Sequence, residues 1–289
     1  MALTDLQRRV LRAIAKNRSP DSHIAGGSAL MRNTGRVSAD IDVFYDASEA
    51  VARSAESDIA TLIGEGLSVA EVSPRREGVM EAVITDDQGL SVVIRWAEDS
   101  AFRFFPAVKD DVFGYRLHDL DLALNKILAM AGRREPRDYY DVVRLHQTGV
   151  PLAALAWAAP AKDPGFTPEL IIDEINRNSN YRESQLQADI NAPDLPRARV
   201  LKETLLSASR EARDLFPRLP LEQVGHLYLD RGQHAVLPDP PGVKEGRLVL
   251  HGATLRGAWP TSTTDPAART VLRRLRQRRG ERDQRHSRM

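Results

Sequence analysis

Apolar positions along this chain follow one period at its start, a second in the next stretch, and then return to the first. From residue 3 to residue 17, Leu6, Val10, Leu11 and Ile14 recur at helical spacing, which predicts an amphipathic helix. A short segment after Pro20 leads into a glycine pair, Gly26-Gly27. Ser28-Ala29-Leu30-Met31 predicts the start of a helix that Asn33-Thr34-Gly35 ends, with an N-terminus suited to an anion. Val37 to Tyr45 reads as a strand, and Ser48 as the cap of a helix reaching about Glu65. Residues 67–73, 79–85 and 90–97 alternate or run apolar and predict three strands, the last two joined by an Asp86-Asp87-Gln88-Gly89 hairpin turn. Val112 to Tyr115 predicts one more short strand.

The helical period then takes over. His118-Asp119 opens a helix whose apolar positions are Leu120, Leu122, Ala123, Ile127, Leu128, Met130 and Ala131, with Lys126 in its middle. Glu135-Pro136 breaks it, Pro136 suits the first position of the next helix, and Gly149-Val150-Pro151 closes that one. Residues 151–158, 168–178 and 182–215 predict further helices, and Pro217 to Pro220 a break. From Leu237 to Pro266 the chain is dense in Pro and Gly, with a turn at Asp239-Pro240-Pro241-Gly242 and one strand from Arg247 to His251. This order lacks the regular strand–helix alternation of a doubly wound sheet. It predicts an α+β fold, a small mixed sheet flanked by helices and followed by a mainly helical part.

Composition narrows the function classes. The 289 residues, 42% hydrophobic and 28% charged, suit a soluble globular protein of two domains or one large one. Without cysteine, disulfides, thiolate catalysis and Cys-based zinc sites are excluded. The seven histidines have no metal-ligand spacing, and no Gly-x-Ser-x-Gly elbow supports a hydrolase triad. The N-terminus has no apolar signal core, and no run approaches the roughly 20 apolar residues of a membrane helix, so a cytoplasmic protein with no membrane partner is expected. The net charge of +1 makes no case for a polyanionic partner, although residues 269–289 carry nine arginines against Glu281 and Asp283. Such a tail either contacts phosphates or remains a solvated terminus.

The candidate chemistry centres on Gly26-Gly27-Ser28 and, twelve residues after Ser28, Asp40-Ile41-Asp42. Successive strand side chains point to opposite faces, so Asp40 and Asp42 share one face. Two adjacent carboxylates are costly unless a cation sits between them, and Mg²⁺ prefers one or two carboxylates plus phosphate oxygens and water. The glycine pair can bring bare N–H groups to a polyphosphate, with the Ser28 hydroxyl as a further contact. No Gly-Lys-Ser/Thr follows, so this is not a P-loop. Lys126 reads either as a side chain reaching solvent or as a point charge on a triphosphate. Arg133, Arg137, Asp138 and Asp141 read either as a surface ion-pair network or as part of a pocket. Residues 137, 141 and 144 share a helix face, which predicts Asp141 flanked by Arg137 and Arg144.

Taken in order, these blocks resemble the AbiEii/AbiGii-type nucleotidyltransferase toxins, a branch of the DNA polymerase β-like nucleotidyltransferase superfamily that includes the MenT-like toxins. The matching residues are Gly26-Gly27-Ser28-Ala29-Leu30, Arg36-Val37-Ser38-Ala39-Asp40-Ile41-Asp42, Lys126-Ile127-Leu128-Ala129, and Arg133 to Asp141 with its Arg137-Asp138-Tyr139-Tyr140-Asp141 end. The match spans about residues 20–150. Two departures stand out. Ile24-Ala25 replaces a lysine common before the glycine pair, and the strand from Ser91 to Ala97 offers Arg95 where the superfamily has a third carboxylate, leaving Glu81 as a weak substitute. A nucleotidyltransferase-fold domain over 1–117 and a helical domain over 118–220 completing the active site are expected, and the Pro- and Gly-dense composition predicts an accessory segment over 221–289. The resemblance carries further expectations. It implies transfer of a nucleoside monophosphate from an NTP, with Mg²⁺ or Mn²⁺ on Asp40 and Asp42, to an RNA acceptor such as the tRNA 3′ end. Asp40, Asp42, Lys126 and Asp141 would be catalytic, and Gly26, Gly27, Ser28, Arg36, Ser38 and Arg137 would bind nucleotide. A toxin of this kind blocks translation and is paired with a separate antitoxin. A transferase acting on a small molecule or a protein, and a non-catalytic NTP-binding protein, are the alternatives.

Overall fold

A computed structural model describes residues 3–46, 48–71, 78–99 and 102–253. The fold is mixed α+β, as the sequence pattern predicts. The described residues divide into two compact units, one drawn from Met1–Ala101, Phe105–Leu122 and Ile190–Leu195, the other from Phe102–Phe104, Ala123–Asp189 and Pro196–Met289.

The first unit is built on a seven-stranded sheet. Its strands are β1 (Ser22–Ala25), β2 (Asp40–Tyr45), β3 (Ser68–Glu71), β4 (Val79–Thr85), β5 (Ser91–Glu98), β6 (Val108–Asp110) and β7 (Gly114–Arg116), in the order β3-β4-β5-β2-β1-β7-β6. Strand β2 lies antiparallel to β1 and parallel to β5, so the sheet is mixed around its centre. Alternation explains the registers. Ile41, Val43 and Tyr45 of β2, Val92, Ile94 and Trp96 of β5, and Met80, Ala82 and Ile84 of β4 are all buried. They meet the apolar faces of α1 (Asp5–Ile14) and α3 (Ser48–Gly64), through Leu6, Val10, Leu11 and Ile14 and through Ala55 and Leu62. Under this face a buried ion pair ties elements together. Asp58 of α3 accepts two 2.6 Å bonds from Arg18 and one of 2.8 Å from the Trp96 indole, and Arg18 also donates to the Tyr45 hydroxyl at 2.9 Å. The opposite face of β2 is left for Asp40 and Asp42.

Three expectations change in this unit. A strand, β1, occupies the segment between Pro20 and Gly26. Its four residues are all buried, so no alternation marks it in the sequence. The strand from Val37 begins only at Asp40; Val37 instead donates its N–H to the Asn191 carbonyl at 2.8 Å. Near Val112, the N–H groups of Val112 and Phe113 turn onto the Asp110 carboxylate at 2.9 and 3.1 Å, and the strands lie on either side of that turn.

The second unit is mainly helical. It contains the greater part of α4 (Asp119–Gly132), then α5 (Pro136–Gln147), α6 (Leu152–Ala158), α7 (Pro168–Arg177), α8 (Glu183–Asp189), α9 (Ala198–Leu215) and α10 (Pro240–Lys244). Strands β8 (Leu227–Leu229) and β9 (Val249–His251) pair antiparallel. The helix expected over 182–215 is two helices, because Pro193 and Pro196 lack the N–H that would continue it. The turn expected at Asp239 to Gly242 instead opens α10, with proline at its first positions. The basic segment 269–289 and residues 254–266 lie outside the described residues. No helix of the described residues is long and apolar enough to cross a membrane.

Candidate active site

In the first unit the candidate residues are assembled by one tight crossing between α2 (Gly26–Thr34) and β2. Gly26 has φ +65°, the left-handed region open to glycine. A Cβ at Gly26 would land on the Asp42 carboxylate, and one at Gly27 would lie 2.6 Å from Ser38 Oγ and 2.8 Å from an Arg36 guanidinium nitrogen. Both glycines are therefore required by close approach, and the helix N-terminus is set against the carboxylate strand. Ser28 is buried, and its hydroxyl donates back to the Ala25 carbonyl at 3.4 Å. Ser38 and Arg36 are also buried. Ser38 Oγ donates to Asp40 Oδ1 at 2.8 Å, and Arg36 donates to the Val37 carbonyl at 3.3 Å. Gly26, Gly27, Arg36, Ser38, Asp40 and Asp42 thus form one cluster.

Two further side chains complete it. Gln7 of α1 is buried and donates to the Ser38 carbonyl at 2.6 Å, while its oxygen closes a capping box with Thr4. The signal for Gln7 was present in the sequence, as an amide on the apolar stripe of Leu6, Val10 and Leu11 with Thr4 three residues before it. Arg95 of β5 is the second. It stands in register with Asp42 on one side and with Glu81 of β4 on the other. It donates to Asp42 Oδ1 at 3.3 Å and to Glu81 at 2.9 Å, and these neighbours, with Asp40, hold its pKa above the ordinary value against the opposing effect of burial.

The second unit holds the other candidates. Lys126 of α4 lies 2.8 Å from Asp138 Oδ1 and 3.3 Å from Asp141 Oδ2 of α5, and Arg133 bonds Asp138 Oδ2 at 2.7 Å. Burial works to raise the Asp138 pKa, but Lys126 and Arg133 outweigh it and hold the carboxyl below its usual range. Lys126, reaching from the preceding helix, is an ion-pair partner of Asp141. Arg144 bonds Gln147 at 2.9 Å, and Arg137 is half-buried on α5.

No protein-family model and no curated protein matches the sequence. Solved structures do resemble it. MenT4, a nucleotidyltransferase toxin from Mycobacterium tuberculosis H37Rv, superposes with a TM-score of 0.52 at 15% identity, over 73% of this chain and 82% of that one. The chain has a MenT-like nucleotidyltransferase fold. Weaker likenesses are a candidate nucleotidyltransferase from H. pylori (TM-score 0.44, 15% identity, 73% of this chain and 96% of that one) and an antigenic nucleotidyltransferase-like protein from Paracoccidioides brasiliensis (TM-score 0.39, 14% identity, 74% and 92%). Within the nucleotidyltransferase fold of this chain, Asp40 and Asp42 are the carboxylates beside the glycine pair. Among the described residues no three His, Cys, Asp or Glu side chains converge as a preformed metal cage. Two aspartates nevertheless fit a Mg²⁺ that arrives with a nucleotide, because that ion takes its remaining ligands from phosphate and water.

Proposed function

We propose that this protein is a Mg²⁺-dependent nucleotidyltransferase that moves a nucleoside monophosphate from an NTP to an RNA acceptor, the tRNA 3′ end, and acts as the toxin of a toxin–antitoxin pair. The observation that carries the transferase reading is the approach of the Gly26 backbone to Asp42 on the Asp40–Asp42 face of β2, so close that a Cβ there would collide, with Gly27 packed equally tightly on Ser38 and Arg36. The RNA acceptor, the toxin role, a separate antitoxin and a cytoplasmic site of action rest on the sequence resemblance.

The reaction is an in-line displacement. An acceptor hydroxyl oxygen forms a bond to the α-phosphorus, its proton passes to solvent water, and the bond to the β-phosphate oxygen breaks with its electron pair leaving on pyrophosphate. Asp40 and Asp42 would hold the divalent ion, which when bound neutralises phosphate charge and favours the attacking alkoxide. Ser38 fixes Asp40 by its hydrogen bond, and Gln7 fixes the Ser38 backbone. In the proposal the N–H groups at Gly26 and Gly27 would donate to the triphosphate. In this reading Lys126 bears on the charge that builds on pyrophosphate, and Asp141 and Asp138 hold its ammonium in place. Arg36 and Arg137 are the remaining nucleotide contacts in the proposal.

Induced expression in a bacterial host, followed by sequencing of tRNA 3′ ends, tests it. Growth arrest with non-templated nucleotides on tRNA ends is expected. Unaltered tRNA ends in arrested cells would refute the tRNA acceptor, and unimpeded growth would refute the toxin role.

A further inference from the structure

Arg95 is a cation built into the row of acids on the sheet face that the proposed reaction uses. Glu81, Arg95 and Asp42 stand side by side on β4, β5 and β2 in direct register. Glu81 receives the guanidinium through both Nε and Nη2, at 2.9 Å each, while Nη1 reaches Asp42 Oδ1 at 3.3 Å. This pairing consumes Glu81 as a counter-ion and draws one oxygen of Asp42 toward a fixed positive charge. A guanidinium carries more N–H donors than these three contacts use. The Arg95 side chain is 41% exposed, so a ligand can reach it.

A divalent ion on the Arg95 side of Asp42 would meet a like charge at close range and would find Glu81 already paired. Asp40 is oriented instead by the Ser38 hydroxyl, a neutral donor, so that bond leaves its negative charge for a cation. We propose that the nucleotide complex of this protein contains a single divalent cation, held by Asp40 and Asp42, and that Arg95 supplies the second positive charge by donating to phosphate oxygens of the nucleotide. Arg95 is thus a catalytic residue that touches substrate, held in place by Glu81. The inference rests on the transferase reading above and deepens it.

Counting Mn²⁺ by electron paramagnetic resonance tests it without turnover. The full chain is titrated with Mn²⁺ in the presence of each of the four α,β-non-hydrolysable NTP analogues. One bound Mn²⁺ per protein–analogue complex is expected, rising to two in Arg95→Glu, which replaces the cation by a ligand. Arg95→Met is expected to keep one Mn²⁺ and to weaken analogue binding at least tenfold. Two Mn²⁺ in the wild-type complex would overturn the proposal while leaving the transferase reading intact. Unchanged analogue affinity in a folded Arg95→Met protein would overturn the assigned contact. Failure of every analogue to bind would overturn both readings. If Arg95→Glu fails to fold, the wild-type count and Arg95→Met still decide.

Discussion

Replacing Gly26 by alanine perturbs the site by one methyl group, and its cost separates into two parts. The first is conformational. At φ +65° an L-residue pays about 1–2 kcal/mol relative to its preferred region. The second is steric: the new Cβ would occupy the Asp42 carboxylate, which must leave its rotamer at a further ~0.5–1.5 kcal/mol and move away from Arg95. Gly35→Ala isolates the first part, because Gly35 has φ +72° and nothing within 4 Å of its would-be Cβ. Urea unfolding of the two variants should therefore place Gly26→Ala below Gly35→Ala by roughly the steric part. Calorimetric titration with Mg²⁺ and an NTP analogue should show affinity reduced about two- to tenfold in Gly26→Ala, since ~1.4 kcal/mol is tenfold, and unchanged in Gly35→Ala. Equal stability of the two variants, with full nucleotide affinity in Gly26→Ala, would refute the close approach of backbone and carboxylate.

Two other perturbations follow from named contacts. Because the folded Asp138 carboxyl titrates below its ordinary value, its stabilisation is present above the unfolded value of about 3.9 and is lost as pH falls through the folded one. Asp138→Asn should lower the urea midpoint at pH 7, by ~1–3 kcal/mol in stability, and lose less than wild type between pH 5 and pH 2. A parallel pH dependence would refute the ion pair with Lys126 and Arg133. Gln7→Leu removes the buried donor to the Ser38 carbonyl and should cost about 1–3 kcal/mol. It should also reduce transfer without abolishing it, as measured by unfolding and by turnover of labelled NTP.

Much of the sheet was legible because one of its faces is buried. Asp40-Ile41-Asp42-Val43 alternates strictly, so strand and shared carboxylate face followed from period alone. Strand β1 has no exposed side to alternate with, and its sequence, Ser22-His23-Ile24-Ala25, carries no strand signature. Helix propensity runs on across 182–215 in the sequence, but Pro193 and Pro196 break it, and the segment 190–195 belongs to the first unit. Helix-face geometry relates Asp141 only to residues of its own helix, so the ion pair with Lys126, fifteen residues earlier on α4, was not legible from it. The same limit hid the role of Arg95. Its charge was visible in the chain, but its register between Asp42 and Glu81 arises only from pairing β5 with both β2 and β4.

Nucleotide transfer at the Asp40–Asp42 face is open to direct assay. Purified protein incubated with each α-³²P-labelled NTP, Mg²⁺ and total cellular RNA, beside Asp40→Ala, tests it most directly. The account predicts label in a tRNA-sized band with the wild type and none with the folded variant. Labelling by Asp40→Ala equal to wild type would contradict the account, and no labelled product from any NTP with the wild type would contradict the proposed transfer to RNA.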